Sequence, residues 1–250
     1  MWLVELILSK GREWLNRRLS SRGYRIVRTF NPNFFEVILM RYLERHGRKL
    51  DFIQIGANDG RRFDPIHEFA VSPFFSLSGL AVEPVPRFYK ALQRVYRNQP
   101  NIKPINAAIH NEMKEATLYV VGEAYESMVP EWALGTASFN KSHVIKPQVP
   151  ESYVEAIQVP CMPLSELMRQ EGIEQIDLLQ IDTEGYDGEI IRSIDFARVR
   201  PAMIHFEHGM ADGVMSRAEF DDLISLFNKH GYQVLPENYD AVAFLPHEIG

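Results

Sequence analysis

Cysteine is almost absent from this chain of 250 residues, in which Cys161 is the only one. A single thiol cannot form an internal disulfide, and no group of cysteines and histidines has the spacing of a structural zinc site. The composition therefore disfavours disulfide-stabilised secreted domains and zinc-binding modules, and it fits a reducing compartment. We expect a cytoplasmic protein.

The chain also lacks an excess of positive charge and a long apolar run. It has 27 Lys and Arg against 33 Asp and Glu, for a formal net charge of -6. This balance disfavours broad electrostatic capture of nucleic acid and suits a small neutral or cationic ligand better. No stretch approaches the roughly 18 apolar residues that indicate a transmembrane helix. We predict a small-molecule acceptor, no nucleic-acid partner and no membrane-spanning segment.

The N-terminal residues combine an apolar run with a basic flank. Glu5 interrupts the apolar run, and basic residues follow it at Lys10, Arg12, Arg17 and Arg18. Because no small-residue cleavage site appears, the pattern does not predict a signal peptide. We expect a helix that docks on its own domain or on a second subunit of a homo-oligomer. Peripheral contact with a membrane surface is the alternative.

Short apolar runs alternate with amphipathic patterns along the rest of the chain. The runs at residues 52–55, 79–82, 102–107, 176–181 and 202–206 are typical of buried parallel strands. Helix patterns cover residues 86–97, 165–171, 190–194 and 216–230, the last of them opened by a capping-box spacing. Asp64 and Pro65 predict one more helix start. This alternation predicts an α/β fold with a doubly wound, mostly parallel sheet.

Three segments depart from plain alternation. Residues 1–48 are predicted to form a helical lead-in, in which Asn31 and Pro32 start a helix. Residues 49–250 form the main domain, with an insertion at about 110–160 whose strand-like pieces, 116–121 and 154–159, suggest a hairpin with a mobile loop. The last two strands, 233–235 and 241–245, are joined by a short turn and are therefore predicted to be antiparallel.

The residues that follow each predicted strand carry the chemistry, because ligands of open α/β sheets bind beyond the carboxyl ends of the strands. Gly56 to Gly60 follows the first strand and permits a tight turn with close backbone approach of a ligand. Glu83 follows the second strand, where a carboxylate can accept hydrogen bonds from both ribose hydroxyls. Together they predict a nucleotide site, either for a dinucleotide or for S-adenosylmethionine.

The next three strand ends extend this site. Asn106 and Ala107 offer an amide and a small surface suited to an adenine ring. Asp182 follows the fourth strand, and Glu207 stands at the end of the fifth, so both carboxylates are expected to face one cleft and to take a proton or hold a cation. His205 and His208 flank Glu207 as further proton acceptors, although histidines at strand ends are often structural.

Four ordered blocks resemble the FkbM family of S-adenosylmethionine-dependent methyltransferases. The blocks are Phe-Ile-Gln-Ile-Gly-Ala-Asn-Asp-Gly at 52–60, Ala-Val-Glu-Pro at 81–84, Leu-Ser-Glu-Leu at 164–167 continued by Asp-Leu-Leu-Gln-Ile-Asp-Thr-Glu-Gly at 177–185, and Ile-His-Phe-Glu at 204–207. The resemblance covers roughly residues 50 to 245. It implies a class I methyltransferase (Rossmann-like) fold with a seven-stranded, mostly parallel sheet and an antiparallel terminal hairpin.

The resemblance also implies a cofactor and an activity: transfer of a methyl group from S-adenosylmethionine, usually to a hydroxyl of a natural product, sugar or lipid. By this resemblance Gly56, Asn58 and Gly60 line the methionine half of the cofactor, Glu83 its ribose, and Asn106 and Ala107 its adenine, and Asp182 lies by the reacting end of the cofactor. Many methyltransferases have an acid two positions before the first loop glycine. Gln54 stands there in this chain; we expect it to form a hydrogen bond with the amino-acid part of the cofactor, but it brings no countercharge, so the ammonium is expected to rely on another group.

Catalysis of such a transfer depends mainly on positioning, with Asp182, Glu207 and His208 as candidate proton acceptors. The insertion supplies Ser138, Phe139 and His143 as candidate lid and substrate residues. A divalent metal bound by Asp182 and Glu207 is an alternative that the sequence does not indicate. Two other functions stay open, an NAD-dependent oxidoreductase and a non-catalytic binding protein, although Asn58 replaces the second glycine that a dinucleotide loop requires.

Overall fold

The N-terminal end of the described structure is a helix with a side-chain cap. In the computed structural model of this chain, residues 33–250 are described. Helix α1 (Phe34–Arg45) begins after Asn33, whose side chain accepts a hydrogen bond from the Glu36 amide at 2.8 Å. The predicted start at Asn31 and Pro32 lies outside the described residues. The helix itself is confirmed, and Gly47, with φ +65°, follows its end.

The main sheet has seven strands and confirms the predicted doubly wound α/β fold. Its strands are β1 (Lys49–Ile55), β2 (Ser76–Val82), β3 (Ile102–Ile105), β8 (Leu178–Ile181), β9 (Met203–Glu207), β10 (Gln233–Pro236) and β11 (Asp240–Phe244). They are ordered β10-β11-β9-β8-β1-β2-β3. Only β11 runs against its neighbours, which confirms the antiparallel terminal hairpin. This is the strand arrangement of the class I methyltransferase fold.

Helices cover both faces of this sheet. They are α2 (His67–Ala70), α3 (Pro86–Val95), α5 (Leu164–Glu171), α6 (Asp187–Arg192), α7 (Arg217–Lys229) and α8 (Pro246–Ile249), in addition to α1 and to α4 (Lys141–Val144) in the insertion. One core joins Phe35, Phe52 and Leu178, and the other joins Ile53, Leu179 and Phe227. Because side chains alternate between the two faces of each strand, they pack into two separate apolar layers. Ser216 and Glu219 form the predicted capping box of α7.

The register of the parallel strands aligns their carboxyl ends. Ile55 pairs with Val82 on one side and with Ile181 on the other, and Ile181 pairs with Phe206. The residues that follow these positions therefore lie at one edge of the sheet. Antiparallel β11 begins at this same edge, where Asp240 pairs with Glu207.

A second, smaller sheet is formed largely by the predicted insertion. It has the order β4-β7-β5-β6, from β4 (Ala108–Ile109), β5 (Glu115–Val121), β6 (Ala137–Ser138) and β7 (Val154–Met162). Strands β5 and β7 are antiparallel, as predicted for 116–121 and 154–159. The short α4 (Lys141–Val144) follows β6. The boundaries proposed for the insertion stay a prediction.

Two sequence interpretations are corrected by the fold. The predicted strand 102–107 ends at Ile105, because the Asn106 side chain donates hydrogen bonds to the Glu83 and Pro84 carbonyls and the chain leaves the main sheet there. The predicted helix start at Asp64 is also displaced. Asp64 accepts from the Ile66 and His67 amides, and α2 begins only at His67 and has four residues.

Within residues 33–250, no helix combines the length and the apolar character that a bilayer span requires.

Gly56→Ala should destabilise the protein severely. Gly56 has φ +80°, and a Cβ atom there would lie 1.7 Å from the Asp182 carbonyl oxygen, so a methyl group forces β1 and β8 apart. We expect the free energy of unfolding to fall by at least about 3 kcal/mol, measured by denaturant unfolding. Gly172→Ala is the matched control, because Gly172 has φ +66° and open space, and about 1 kcal/mol is expected. Equal losses for both variants would contradict the close-approach argument.

Candidate active site

A cavity of about 750 Å³ opens at the carboxyl edge of the main sheet. The loops after β1, β2, β8 and β9 form one wall, and residues of the insertion form the other. Its volume lies within the range of cofactor and ligand sites, which is roughly 300 to 1,000 Å³. The predicted site residues that line it are Gln54, Gly56, Asn58, Glu83, Ala107, Phe139, Asp182 and Glu207.

The loop after β1 and the end of β2 are joined by Glu83. The Glu83 carboxylate accepts from the Asn58 amide at 2.8 Å and from the Val85 amide at 2.7 Å. Burial raises the pKa of Glu83 to about 7, although both amides oppose this shift. Each carboxylate oxygen retains acceptor capacity, because it offers more than one lone-pair site. Glu83 can therefore hold the loop and still accept from a ligand hydroxyl.

Gln54 and Asp64 form a hydrogen-bonded pair on the cavity wall, in which Gln54 is buried and Asp64 is half-buried. Gln54 donates from Nε2 to Asp64 Oδ1 at 3.1 Å, while its buried Oε1 has no hydrogen-bond partner among residues 33–250. Both residues line the cavity. Sequence reasoning took Asp64 only as a helix cap. The missed signal was a short polar side chain within the long loop that follows the first strand.

Three carboxylates come together at the cavity, after β8 and at the end of β9. Oxygen atoms of Asp182, Glu184 and Glu207 lie within 4.8 Å of one another. Burial, followed by repulsion from Glu184, raises the pKa of Asp182 well above its usual value. Burial, followed by repulsion from Glu184 and Asp182, raises the pKa of Glu207 to about 10. Burial, followed by repulsion from Asp187, raises the pKa of Glu184 to about 7. Such a group favours a cationic ligand or a shared proton.

Asp240 is a further cavity residue that sequence reasoning missed. Burial, then repulsion from Glu237, raises its pKa to about 7. The signal was available, because the first residue of an antiparallel strand lies at the edge where its parallel neighbours end. A carboxylate at the start of the last strand is therefore expected at the same sheet edge as a carboxylate at the end of the fifth strand. Asp240 also lies close to His205 and Glu237, a second group with metal-ligand spacing.

The basic residues on the cavity wall are paired. Arg62 Nε donates to Asp59 Oδ2 at 2.5 Å, and Lys146 lies 3.6 Å from Asp212. Lys146 also lowers the pKa of Glu184, without cancelling the effect of burial. Acidic side chains therefore outnumber unpaired basic side chains where the three carboxylates meet.

The predicted lid residues divide into two groups. Phe139 lines the cavity, together with Trp132 and Thr136. Ser138 and His143 do not line it. Their side chains donate instead to the Glu184 carbonyl, from Oγ at 2.7 Å and from Nδ1 at 2.9 Å. These two residues thus position the loop that carries Asp182 and Glu184.

Four other predicted site residues lie off the cavity wall. The Asn106 side chain donates its hydrogen bonds to the Glu83 and Pro84 carbonyls at the point where the chain turns after β3. A Cβ atom on Gly60 would meet Leu92, so this glycine serves loop packing against α3. His208 is buried with its ring against Phe220, and His205 stacks on Phe35. Burial lowers the pKa of both histidines, to about 3 for His205, and neither residue lines the cavity.

The FkbM methyltransferase domain matches residues 54–234, most of the chain. The chain belongs to the FkbM methyltransferase family. No curated protein matches it by sequence.

Solved structures with a similar fold share little sequence with this FkbM-family chain. FkbM methyltransferase from Methylobacillus flagellatus has 13% identity and a TM-score of 0.45, with 79% of this chain and 44% of that chain covered. Precorrin-6y C5,15-methyltransferase from Geobacter metallireducens has 12% identity and a TM-score of 0.40, with 88% and 93% covered. Fibrillarin from Methanococcus jannaschii, a pre-rRNA processing protein, has 14% identity and a TM-score of 0.42, with 79% and 67% covered.

Glu184→Gln should change the pH dependence of stability. The pKa of Glu184 is raised from 4.5 to about 7, so its favourable contribution is complete below 4.5 and is lost as pH rises through about 7. Without ligand, we expect the variant to exceed the parent protein in unfolding free energy by roughly 1 to 3 kcal/mol above pH 7, with little advantage at pH 4.5. Denaturant unfolding across this window tests it. Glu189→Gln, an exposed control, should show no such trend; a pH-independent difference for Glu184→Gln would refute the assignment.

Proposed function

We propose that this FkbM-family protein uses S-adenosylmethionine to methylate a hydroxyl oxygen of a small natural product, sugar or lipid. The observation that carries the proposal is the carboxylate group of Asp182, Glu184 and Glu207 beside the Gly56 turn. The group lies where a class I fold places its ligands, and its raised pKa values suit a site that meets positive charge and accepts protons.

The residues present fit the cofactor. Gly56 allows the close backbone approach that the cofactor needs, and Glu83 has acceptor capacity for ribose hydroxyls. Ala107 gives a small surface for the adenine ring. Gln54 Oε1, which has no hydrogen-bond partner in the described part of the chain, is a buried acceptor that a ligand donor satisfies. Asn58 closes the turn with φ +49° and lies close to Gly135 of the insertion.

The three carboxylate side chains then have to position the acceptor molecule and receive its hydroxyl proton. S-adenosylmethionine supplies a methyl group already activated on a sulfonium sulfur. Asp182 is the proposed proton acceptor, because it follows β8 directly and no hydrogen bond occupies its carboxylate among the described contacts. Burial and the neighbouring carboxylates raise the pKa of Glu207 to about 10, so Glu207 can share a proton within this group and donate a hydrogen bond to the acceptor oxygen.

The wall opposite the sheet suits a small acceptor. Trp132 and Phe139 supply apolar surface from the insertion, and Thr136 lies beside Glu184. Apolar walls with a few convergent polar groups are typical of small-molecule sites. A divalent cation at the three carboxylates is compatible with their oxygen donors, and no step of the proposed reaction depends on it.

Calorimetry distinguishes this function from NAD-dependent oxidation and from a fold retained without cofactor binding. We expect S-adenosylmethionine and S-adenosylhomocysteine to bind and NAD to give no heat. Glu83→Ala should weaken S-adenosylhomocysteine binding by roughly tenfold or more, because a charged hydrogen-bond acceptor is lost. Glu171→Ala, which removes only a surface pair with Lys103, is the control and should bind normally. Binding of NAD alone, or of none of the three, would overturn the proposal.

Product analysis tests the methylated atom. We expect a carbon-13-labelled methyl group to appear on oxygen when the protein is incubated with small hydroxyl compounds, and structured RNA to stay unlabelled. With the acceptor so identified, Asp182→Asn should lower kcat by about 100-fold, because a proton acceptor is removed. Asp221→Asn, on the outer surface of α7, should leave kcat unchanged. Label on nitrogen, carbon or RNA would contradict O-methylation of a small molecule.

A further inference from the structure

The orientation of the Gln54 side chain is determined by its partner. Gln54 is 1% exposed, and its Nε2 donates to Asp64 Oδ1 at 3.1 Å. A carboxylate only accepts hydrogen bonds, so the NH₂ end of the amide must face Asp64 and the carbonyl end must face away. That carbonyl oxygen, Oε1, is buried and has no hydrogen-bond partner within residues 33–250, and the side chain lines the cavity. A ligand with a hydrogen-bond donor satisfies such an oxygen.

Asp64 is a half-buried carboxylate on the cavity wall with several hydrogen-bond donors around it. Its Oδ1 accepts from Gln54 Nε2, the Ile66 amide and the His67 amide, and its Oδ2 accepts from the Tyr96 hydroxyl at 3.3 Å. Within residues 33–250, it forms no salt bridge with Lys or Arg. Burial raises its pKa, and these hydrogen bonds only partly oppose that effect. Removing part of a carboxylate from water without a paired cation is costly, and a cationic ligand nearby lowers that cost.

We propose that Gln54 and Asp64 form a subsite for a primary ammonium group, the amino end of the bound cofactor. Gln54 Oε1 accepts directly from the ammonium, and Asp64 is a positioning residue that orients the amide and supplies the countercharge. This inference rests on the proposed use of S-adenosylmethionine. It explains how a chain with an uncharged residue two positions before Gly56 recognises a cationic group.

The geometry separates this role from a purely structural one. Two of the donors to Asp64 are backbone amides, and both use Oδ1. In Asp64→Asn the side-chain oxygen can keep those bonds and the bond from Gln54, while the new NH₂ group faces the Tyr96 hydroxyl, which also accepts. The substitution therefore removes the charge and retains the hydrogen-bond framework.

The test compares two ligands that differ at the amino-acid end. S-adenosylhomocysteine carries the ammonium group, and 5′-methylthioadenosine lacks the whole amino-acid part. By calorimetry, Asp64→Asn should weaken S-adenosylhomocysteine binding by roughly tenfold or more and leave 5′-methylthioadenosine binding unchanged. The double variant Gln54→Glu, Asp64→Asn returns one negative charge to the pair and should recover most of the lost affinity. Asp177→Asn, before β8 at the opposite sheet edge, is the matched control and should bind both ligands normally.

The outcomes separate the subsite from the function on which it rests. Equal weakening of both ligands in Asp64→Asn would show a structural effect and overturn the subsite, while cofactor binding by the parent protein still stands. Unchanged binding of both ligands in that variant would also overturn it. Failure of the parent protein to bind S-adenosylhomocysteine would overturn the proposed function and the subsite together.

Discussion

The close approach of β1 and β8 at Gly56 is the constraint on which the rest of the site depends. The Asp182 amide donates to the Ile55 carbonyl at 2.9 Å, and the Asp182 carbonyl oxygen occupies the space where any other residue at position 56 would place a Cβ atom. Gly56 itself donates to the Val82 carbonyl at 2.9 Å. Three neighbouring strands are thereby joined at their ends, and the residues that follow them, including Glu83 and Asp182, must face one cavity.

Negative charge concentrated at this edge is costly for the unliganded fold. Several cavity carboxylates, including Glu83, Glu184 and Asp240, have pKa values raised to about 7 by burial, so each destabilises the folded state when it ionises. The cations on the wall do not remove this cost, since Arg62 and Lys146 also interact with other acids. A ligand that brings positive charge lowers this cost when it binds, and the relief of the cost adds to the binding free energy.

The second sheet contributes to the cavity at this edge in two ways. Phe139 and Trp132 form part of the cavity wall, where they can select an acceptor by shape. Ser138 and His143 reach the Glu184 carbonyl and hold the loop after β8 in place. The insertion therefore contributes both a surface for substrate and a support for the proposed proton acceptor. The sequence does not reveal these two separate roles, because all three predicted lid residues lie within six positions of one another.

The sequence by itself determined the fold and most of one cavity wall. Apolar runs with helical patterns between them specify a doubly wound sheet, and parallel register then brings Gly56, Glu83 and Asp182 together, so local pattern and chain order sufficed. Only the tertiary structure decided the hydrogen-bond partners. It turned His208 and Asn106 away from the cavity, and it brought Asp240 and Asp64 to it from segments that pattern alone assigned to a turn and a helix cap. Periodicity reports which face of an element is buried, whereas side-chain partners depend on packing between segments that are distant in the chain.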